Sequence, residues 1–365
     1  MAPKKRTSSV NDLAVPASQV RDPKDALTAM APSPSLARVP SPARFALVVF
    51  SSLVMSSVLF TLTADVTQGD LGLVSKHLEE WWEVGGTCGL ESGGGRIGLA
   101  QQGKLQLLNV RIRANWRFAI VGWDVASFLF LTHQPTFSLL SFFYGVRPTS
   151  TLASYLITII STVVPFAFLR RPTSVHDISH APSGAVANRA ILQDTPTTIY
   201  TILAATSIFS VVLYGSYASW LPAQLVVHFE NLPDISAAHA GPAGFPALFL
   251  TLIPSGYAVR DFLFVSSTGH AEKTAEEEHP ANREHEYLIV DFYRKTWGQL
   301  SIKTRILISR TLILATSVLL NTTVQIAGTI QDVSIQGAAT WGSVWAVSTL
   351  AIGATFGWIE AVDGV

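Results

Sequence analysis

Residues 245–265 read FPALFLTLIPSGYAVRDFLFV, an apolar run that closes on two adjacent charges, Arg260 and Asp261. About 20 apolar residues is the length a helix needs to cross a ~30 Å hydrocarbon core. With the middle of the run near Ser255, Arg260 lies about 7.5 Å further along at 1.5 Å per residue. Roughly the same distance remains to the core surface, and an Arg stem covers it. The sequence therefore predicts boundary charges, with the guanidinium among headgroups and Asp261 just beyond. A functional ion pair inside the run is the alternative. Pro254-Ser255-Gly256 interrupts the same run. Pro removes a backbone donor and Gly permits bending, so Pro254 and Gly256 form a candidate helix break, with Pro165 a second.

Similar runs recur along the chain. Spans are predicted over 45–64, 124–146, 151–169, 199–220, 245–264, 306–326 and 339–359, an all-α polytopic transmembrane helical bundle of about seven spans whose main body is 116–359. The stretch 116–146 is interrupted by Asp124 and Pro135. It reads as one span kinked at Pro135 or as a hairpin of two short halves, so six and eight spans stay open.

Composition agrees. Of 365 residues 48% are hydrophobic and 14% charged, with a mean hydropathy of +0.36; a soluble domain carries about 25% charged residues. Net charge is zero, so no global field points to nucleic acid. Nine Trp and eight Tyr suit interfacial belts. Cys88 is the single cysteine, which excludes an intramolecular disulfide and a thiolate metal cluster within one chain.

Outside the spans, 1–44 is rich in Pro, Ser and Ala and is expected to be a disordered tail. MAPKKR opens without an apolar run, so no cleavable signal is expected. Asp12, Asp22 and Asp25 argue against a transit peptide. Within the extramembrane segment 65–115, residues 70–84 place Leu71, Val74, Leu78, Trp81 and Trp82 opposite Lys76, Glu79 and Glu83, the pattern of an amphipathic interfacial helix. Residues 87–115 show no usable period, and the GGGR at 93–96 lacks the Lys-Ser/Thr of a phosphate loop.

Basic residues near span ends mark the cytosolic side. Arg170, Arg171 and Arg189 follow the third span, and Lys273, Arg283, Arg294, Lys295, Lys303 and Arg305 lie in the charged loop 265–305. The links 221–244 and 327–338 have neither Lys nor Arg, which places them on the far side. Seven spans put the tail outside, which conflicts with Arg38 and Arg44; six or eight put it inside.

Candidate chemistry is sparse. His228, Glu230, Asp234 and His239 form a polar cluster in a far-side link that could bind a cation or act as acid and base, or be a solvated loop. His176 and His180 have the i, i+4 spacing of a helical zinc pair but lie between prolines, in a loop. Gly342, Ala346, Gly353 and Gly357 line one helix-packing face, within the chain or across a homodimer. Asn321 and Gln325, one turn apart, are expected to hydrogen-bond across that same contact. The late spans lack the histidines of seven-span zinc hydrolases. No cofactor or metal is expected.

FALVVFSSLVMSSVLF (45–60), PSGAVANRAILQDTP (182–196) and HFENLPDISAAHAGPAGFPAL (228–248) resemble segments of an uncharacterised group of fungal multi-pass membrane proteins. The resemblance covers the first span and much of 120–359, and 87–117 departs from it. It implies a fungal integral membrane protein and supplies no activity or site residue. The reading that results is a non-enzymatic membrane scaffold or assembly component, with the lipid bilayer and a membrane-protein partner or second copy as partners. A secondary transporter and a lipid-handling enzyme are the alternatives. Modest span lengths favour an endomembrane such as the endoplasmic reticulum.

Overall fold

The computed structural model describes residues 41–64, 74, 122–169, 175–179, 181, 184–230, 232–270, 297 and 300–363. These residues form helices and turns, with two isolated β-bridges and no strand among them. Of the tail expected over 1–44, residues 41–44 open α1 and 1–40 fall outside the described residues, as do all of the interfacial helix over 70–84 but Val74, the stretch 87–115, Cys88 and most of the charged loop.

Seven helices overlap the apolar runs of the sequence. They are α1 (Ser41–Leu62), α2 (Gly122–Phe142), α3 (Pro148–Leu169), α5 (Thr195–Ala218), α7 (Gly241–Val259), α8 (Ile302–Thr329) and α9 (Ile335–Asp363). Two shorter helices, α4 (Arg189–Gln193) and α6 (Leu221–His228), lie in the links. Five stretches are long and apolar enough to cross a membrane: Pro148–Phe168, Thr195–Ala218, Gly241–Thr268, Ile302–Thr329 and Ile335–Val362. The apolar part of α1, Ala46–Leu62, is shorter, and α2 is not among the five. Within the stretch 116–146, Gly122–Phe142 form one helix that runs through Pro135 rather than turning there as a hairpin would. The 28 residues of α8 and 29 of α9 exceed the ~20 that a bilayer requires, so length does not favour a thin membrane.

Local chemistry sets several ends. Asp194 caps α5, accepting from the Thr197 amide at 3.0 Å, and Pro196 follows in the first turn, where its missing N–H costs nothing. Ser301 caps α8 through the Thr304 amide at 3.1 Å. Opposite ends of the bundle are tied by paired links. At one end Val186 bridges His270, and the Ala187 amide donates to the Gly269 carbonyl at 3.2 Å. At the other, Phe229 bridges Val333 and the Glu230 amide donates to Asp332 at 3.1 Å.

Packing follows two chains of neighbours. α1 lies on α3 and α3 on α2, while α5 packs on α7 and α8 on α9; α2 also meets α7 and α8. Aromatic rings fill the seam: Trp341 touches Phe143 edge-on at 5.9 Å and stacks on Tyr217 at 6.4 Å, while Trp345 meets Phe209 at 5.9 Å. The Trp residues therefore divide. Trp341 and Trp345 are core, whereas Trp123, Trp220 and Trp358 are exposed at or near helix ends, where boundary belts belong.

Small residues allow the closest approaches. A Cβ on Gly353 would meet Thr311 Oγ1 at 2.5 Å and Cβ at 2.9 Å; one on Gly342 would meet the Leu319 carbonyl at 3.2 Å. Gly357 faces Leu307 at 3.6 Å, and Ala346 is buried. The three glycines thus look onto α8 of the same chain. Gly256 is tighter still: its Cβ would collide with Thr206 Oγ1 and stand 2.8 Å from the Ile202 carbonyl. The helix runs on unbroken through Pro254, so Gly256 serves close packing of α7 on α5 rather than a break there.

Gly256→Ala is expected to destabilise by about 1–3 kcal/mol, because backbone atoms of α5 cannot move aside. Gly357→Ala, which meets an ordinary contact, should stay within about 0.5 kcal/mol. Thermal unfolding of the two variants in detergent checks the difference; equal midpoints would refute the close-packing account.

Candidate functional site

The change of helix type occurs six residues after Pro254. Arg260–Val265 form a six-residue π segment, and Ser266–Thr268 return to α geometry. The extra residue in a π turn re-aims the side chains that follow, and such turns are frequent at functional sites. All six residues are buried.

Asp261 lies in this segment and faces a second carboxylate, Asp124, in the first turn of α2. Asp124 Oδ1 accepts from Ser266 Oγ at 2.9 Å and from Arg310 Nη1 at 3.1 Å; Oδ2 accepts from Arg310 Nη2 at 3.3 Å. His176, in the link between α3 and α4, reaches both acids: Nε2 to Asp124 Oδ1 at 3.1 Å and Nδ1 to Asp261 Oδ1 at 3.5 Å. Ser127 Oγ donates to Asp261 Oδ2 at 2.9 Å. Arg310 also donates to the Phe262 carbonyl at 3.1 Å and stands 5.0 Å above the Phe262 ring. Side-chain exposure is 3% for Asp124, 5% for His176, 12% for Asp261 and 18% for Arg310.

The charges balance when His176 is protonated. Burial alone would lower its pKa. The hydrogen bonds to Asp124 and Asp261 and the two negative charges outweigh that, raising it from 6.5 to about 9. The cluster is thus two anions against two cations, largely buried and drawn from α2, the α3–α4 link, the π segment and α8. It clamps a loop onto three helices. Gly269 makes the seating possible, since a Cβ there would stand 2.8 Å from Val175 and 3.1 Å from Leu192.

Arg260 points elsewhere. Its Nε donates to Thr201 Oγ1 at 3.2 Å and Nη2 to Thr198 Oγ1 at 2.9 Å, and the residue is 7% exposed. The guanidinium, expected among headgroups, is taken up by hydroxyls in the first two turns of α5, and Asp261 by the cluster.

A second polar layer lies deeper, around Pro135. Asn321 Nδ2 donates to the Thr132 carbonyl at 2.7 Å, Thr136 Oγ1 to Gln325 Oε1 at 3.0 Å, and Gln325 Nε2 lies 3.0 Å from His133 Nδ1. Trp341 Nε1 donates to the Pro135 carbonyl at 2.9 Å and Tyr155 Oη to that of Phe130. Asn321 and Gln325 therefore bond to α2 and not, as expected, across the α8–α9 contact. A proline-interrupted helix frees carbonyls, and neighbouring helices supply the donors.

The four residues of the far-side link are spread over three places. His228 and Glu230 line a cavity of about 270 Å³ with Asp332 and Ser334, where His228 Nδ1 lies 3.0 Å from Ser334 Oγ. Asp234 accepts from the Ser236 amide and hydroxyl, both at 2.7 Å, which holds its carboxyl below the usual range. His239 lines a separate cavity of about 630 Å³ beside Tyr214 and Tyr217. Among the described residues no group of three His, Cys, Asp or Glu could hold a metal. His180 lies outside them.

Sequence reasoning noticed three cluster members in other roles: Asp124 as an interruption of an apolar run, Asp261 as a boundary charge, His176 as a zinc candidate. The available signal was the isolated Arg310 in ILISRTLIL (306–314), an unpaired charge in an apolar helix that demands an acid from elsewhere.

Fold and cluster define a class: a bundle of long apolar helices whose buried charges are consumed in holding it together. Residues 194–324 match the family model described as the Bouquet formation protein 3 C-terminal domain. The match begins at the cap of α5 and ends within α8, taking in Arg260, Asp261 and Arg310 but not Asp124 or His176. It is consistent with the fungal group that the sequence resembles. Neither curated proteins nor solved structures give a match.

Because the folded pKa of His176 exceeds its unfolded value, its stabilisation is complete below about pH 6.5 and is lost as pH rises through about 9. Unfolding midpoints measured from pH 6 to 10 should fall across that window and fall less in His176→Gln. Asp124→Asn leaves His176 and Arg310 short of an anion, and loss of one partner from a buried pair costs about 3–5 kcal/mol. An Asp124→Asn protein as stable as the parent would overturn the clamp.

Proposed function

We propose that the chain is a multi-pass integral membrane protein, with α1, α2, α3, α5, α7, α8 and α9 as seven crossings, acting as a non-enzymatic scaffold or assembly component. The cluster end, where Arg189 lies, is its cytosolic side. One observation carries the reading: Asp124, His176, Asp261 and Arg310 satisfy one another. Ionisable groups among membrane helices commonly mark transport paths and catalytic centres, and here they are engaged by one another. The name of the matched family, a formation protein, agrees with a role in organisation rather than in turnover.

Membrane integration comes first among the tests. The protein should stay with membranes through alkaline carbonate washing, and release into the supernatant would end the reading. Purification in mild detergent, with identification of copurifying proteins and lipids, tests the role; a stoichiometric membrane-protein partner is expected. A bound small molecule without partners would overturn the scaffold role and leave the crossings intact. Replacing His228, Glu230, Asp234 and His239 together by Ala should leave partner capture unchanged.

A further inference from the structure

The larger cavity takes no part in the charge cluster. Its volume of about 630 Å³ falls within the ~300–1,000 Å³ of small-molecule sites. It begins at the link between α6 and α7 and follows α7 from Gly241 to Thr251, about 15 Å at 1.5 Å per residue. That is half of a ~30 Å hydrocarbon core, the depth of one leaflet. Trp220, exposed at the end of α5, marks the level of the boundary.

Its lining is apolar and small. Gly241, Gly244 and Ala247 recur every three residues on α7, and Ala218 and Ala223 join them from α5 and α6, so the wall is smooth. Tyr214, with Phe245 edge-on against it at 5.6 Å, adds an aromatic surface. The polar side chains at the boundary end are His239 and Ser219, both exposed. Further in, the Thr251 hydroxyl is spent on the Leu248 carbonyl at 2.8 Å. Tyr217 also lines the cavity; it is 7% exposed, and its hydroxyl has no partner. No Lys or Arg is among the described lining residues, and 221–244 contains none.

The geometry points to a sterol as the occupant: a rigid fused-ring lipid with one hydroxyl, its rings on the small residues of α7 and its hydroxyl at the level of His239. A depth of one leaflet and a single polar end describe an amphiphile lying along the membrane normal. A phospholipid would bring its phosphate to a rim without a cation. Its flexible chains also lose more freedom on being held than a fused ring does. A partner's helix crossing the whole membrane would be stopped at the boundary end, where α6 and the turn Ser236–His239 contribute to the lining. The inference rests on the reading that the chain crosses a membrane.

The test uses the full chain in detergent, with a cholesterol bearing a diazirine and an alkyne as the probe. Ultraviolet labelling should saturate with probe concentration and map to peptides within 214–223 or 237–251. Unlabelled cholesterol should compete, and dioleoyl phosphatidylcholine should not. Ala247→Phe, at an exposed position on the wall, should fill the cavity and cut labelling severalfold without moving the thermal midpoint. Val347→Phe, exposed on α9, should label as the parent does. His239→Ala should raise the half-saturating concentration about fivefold, as loss of one hydrogen bond does. Labelling unmoved by Ala247→Phe, or equal competition by the phospholipid, would overturn the inference. So would loss of the membrane-protein partner in Ala247→Phe with sterol labelling unchanged, which would assign the cavity to a partner's helix. A protein that withstands carbonate washing yet takes no saturable label would sink the sterol site alone, whereas release by carbonate would sink the crossings.

Discussion

The Asp124 carboxylate is the point on which the rest of the bundle turns. An acid placed among apolar helices has no water to solvate it, and its burial is tolerable only when donors converge from several directions. Here they come from Arg310 on α8, Ser266 beyond the π segment and His176 in a link. None of these is near Asp124 in sequence. Satisfying one charge therefore fixes the relative placement of α2, α7 and α8 and draws the loop down with them. Dispersion and small-residue packing hold the helices together, but they discriminate poorly between one rotation of a helix and another. A carboxylate with three donors discriminates sharply.

The π segment is the fold's accommodation to that demand. Side chains of an α-helix emerge at a fixed 3.6-residue period, and two acceptable directions, Asp261 toward His176 and Arg260 toward Thr198 and Thr201, must come from adjacent residues. A wider turn at Arg260–Val265 supplies both. It leaves the Phe262 carbonyl to Arg310, so the helix distortion and the charge cluster satisfy each other.

Much of this architecture was legible in the amino-acid pattern because apolar length is a local property. Helices appear wherever an uncharged run was long enough, and the two basic links were placed together before any contact was known. The interior was less legible. Counting depth along one straight helix made Arg260-Asp261 a boundary pair but could not name their partners, which sit 59 to 134 residues away in sequence. Pro254 drew attention as a break, yet the distortion lies further on, where nothing in the composition marks it. Asn321 and Gln325 were assigned to the wrong neighbour, since helical spacing says which side chains share a face but not which helix that face meets.

The contact at Gly256 has a mechanical implication. With the α5 backbone standing at van der Waals limits from α7, there is no lubricating layer of side chains between them, and sliding would drive carbonyl oxygens into one another. α5 and α7 must move as a single plank. Whatever pliancy the molecule retains is consigned to seams without such close approaches, where small rotations can be absorbed.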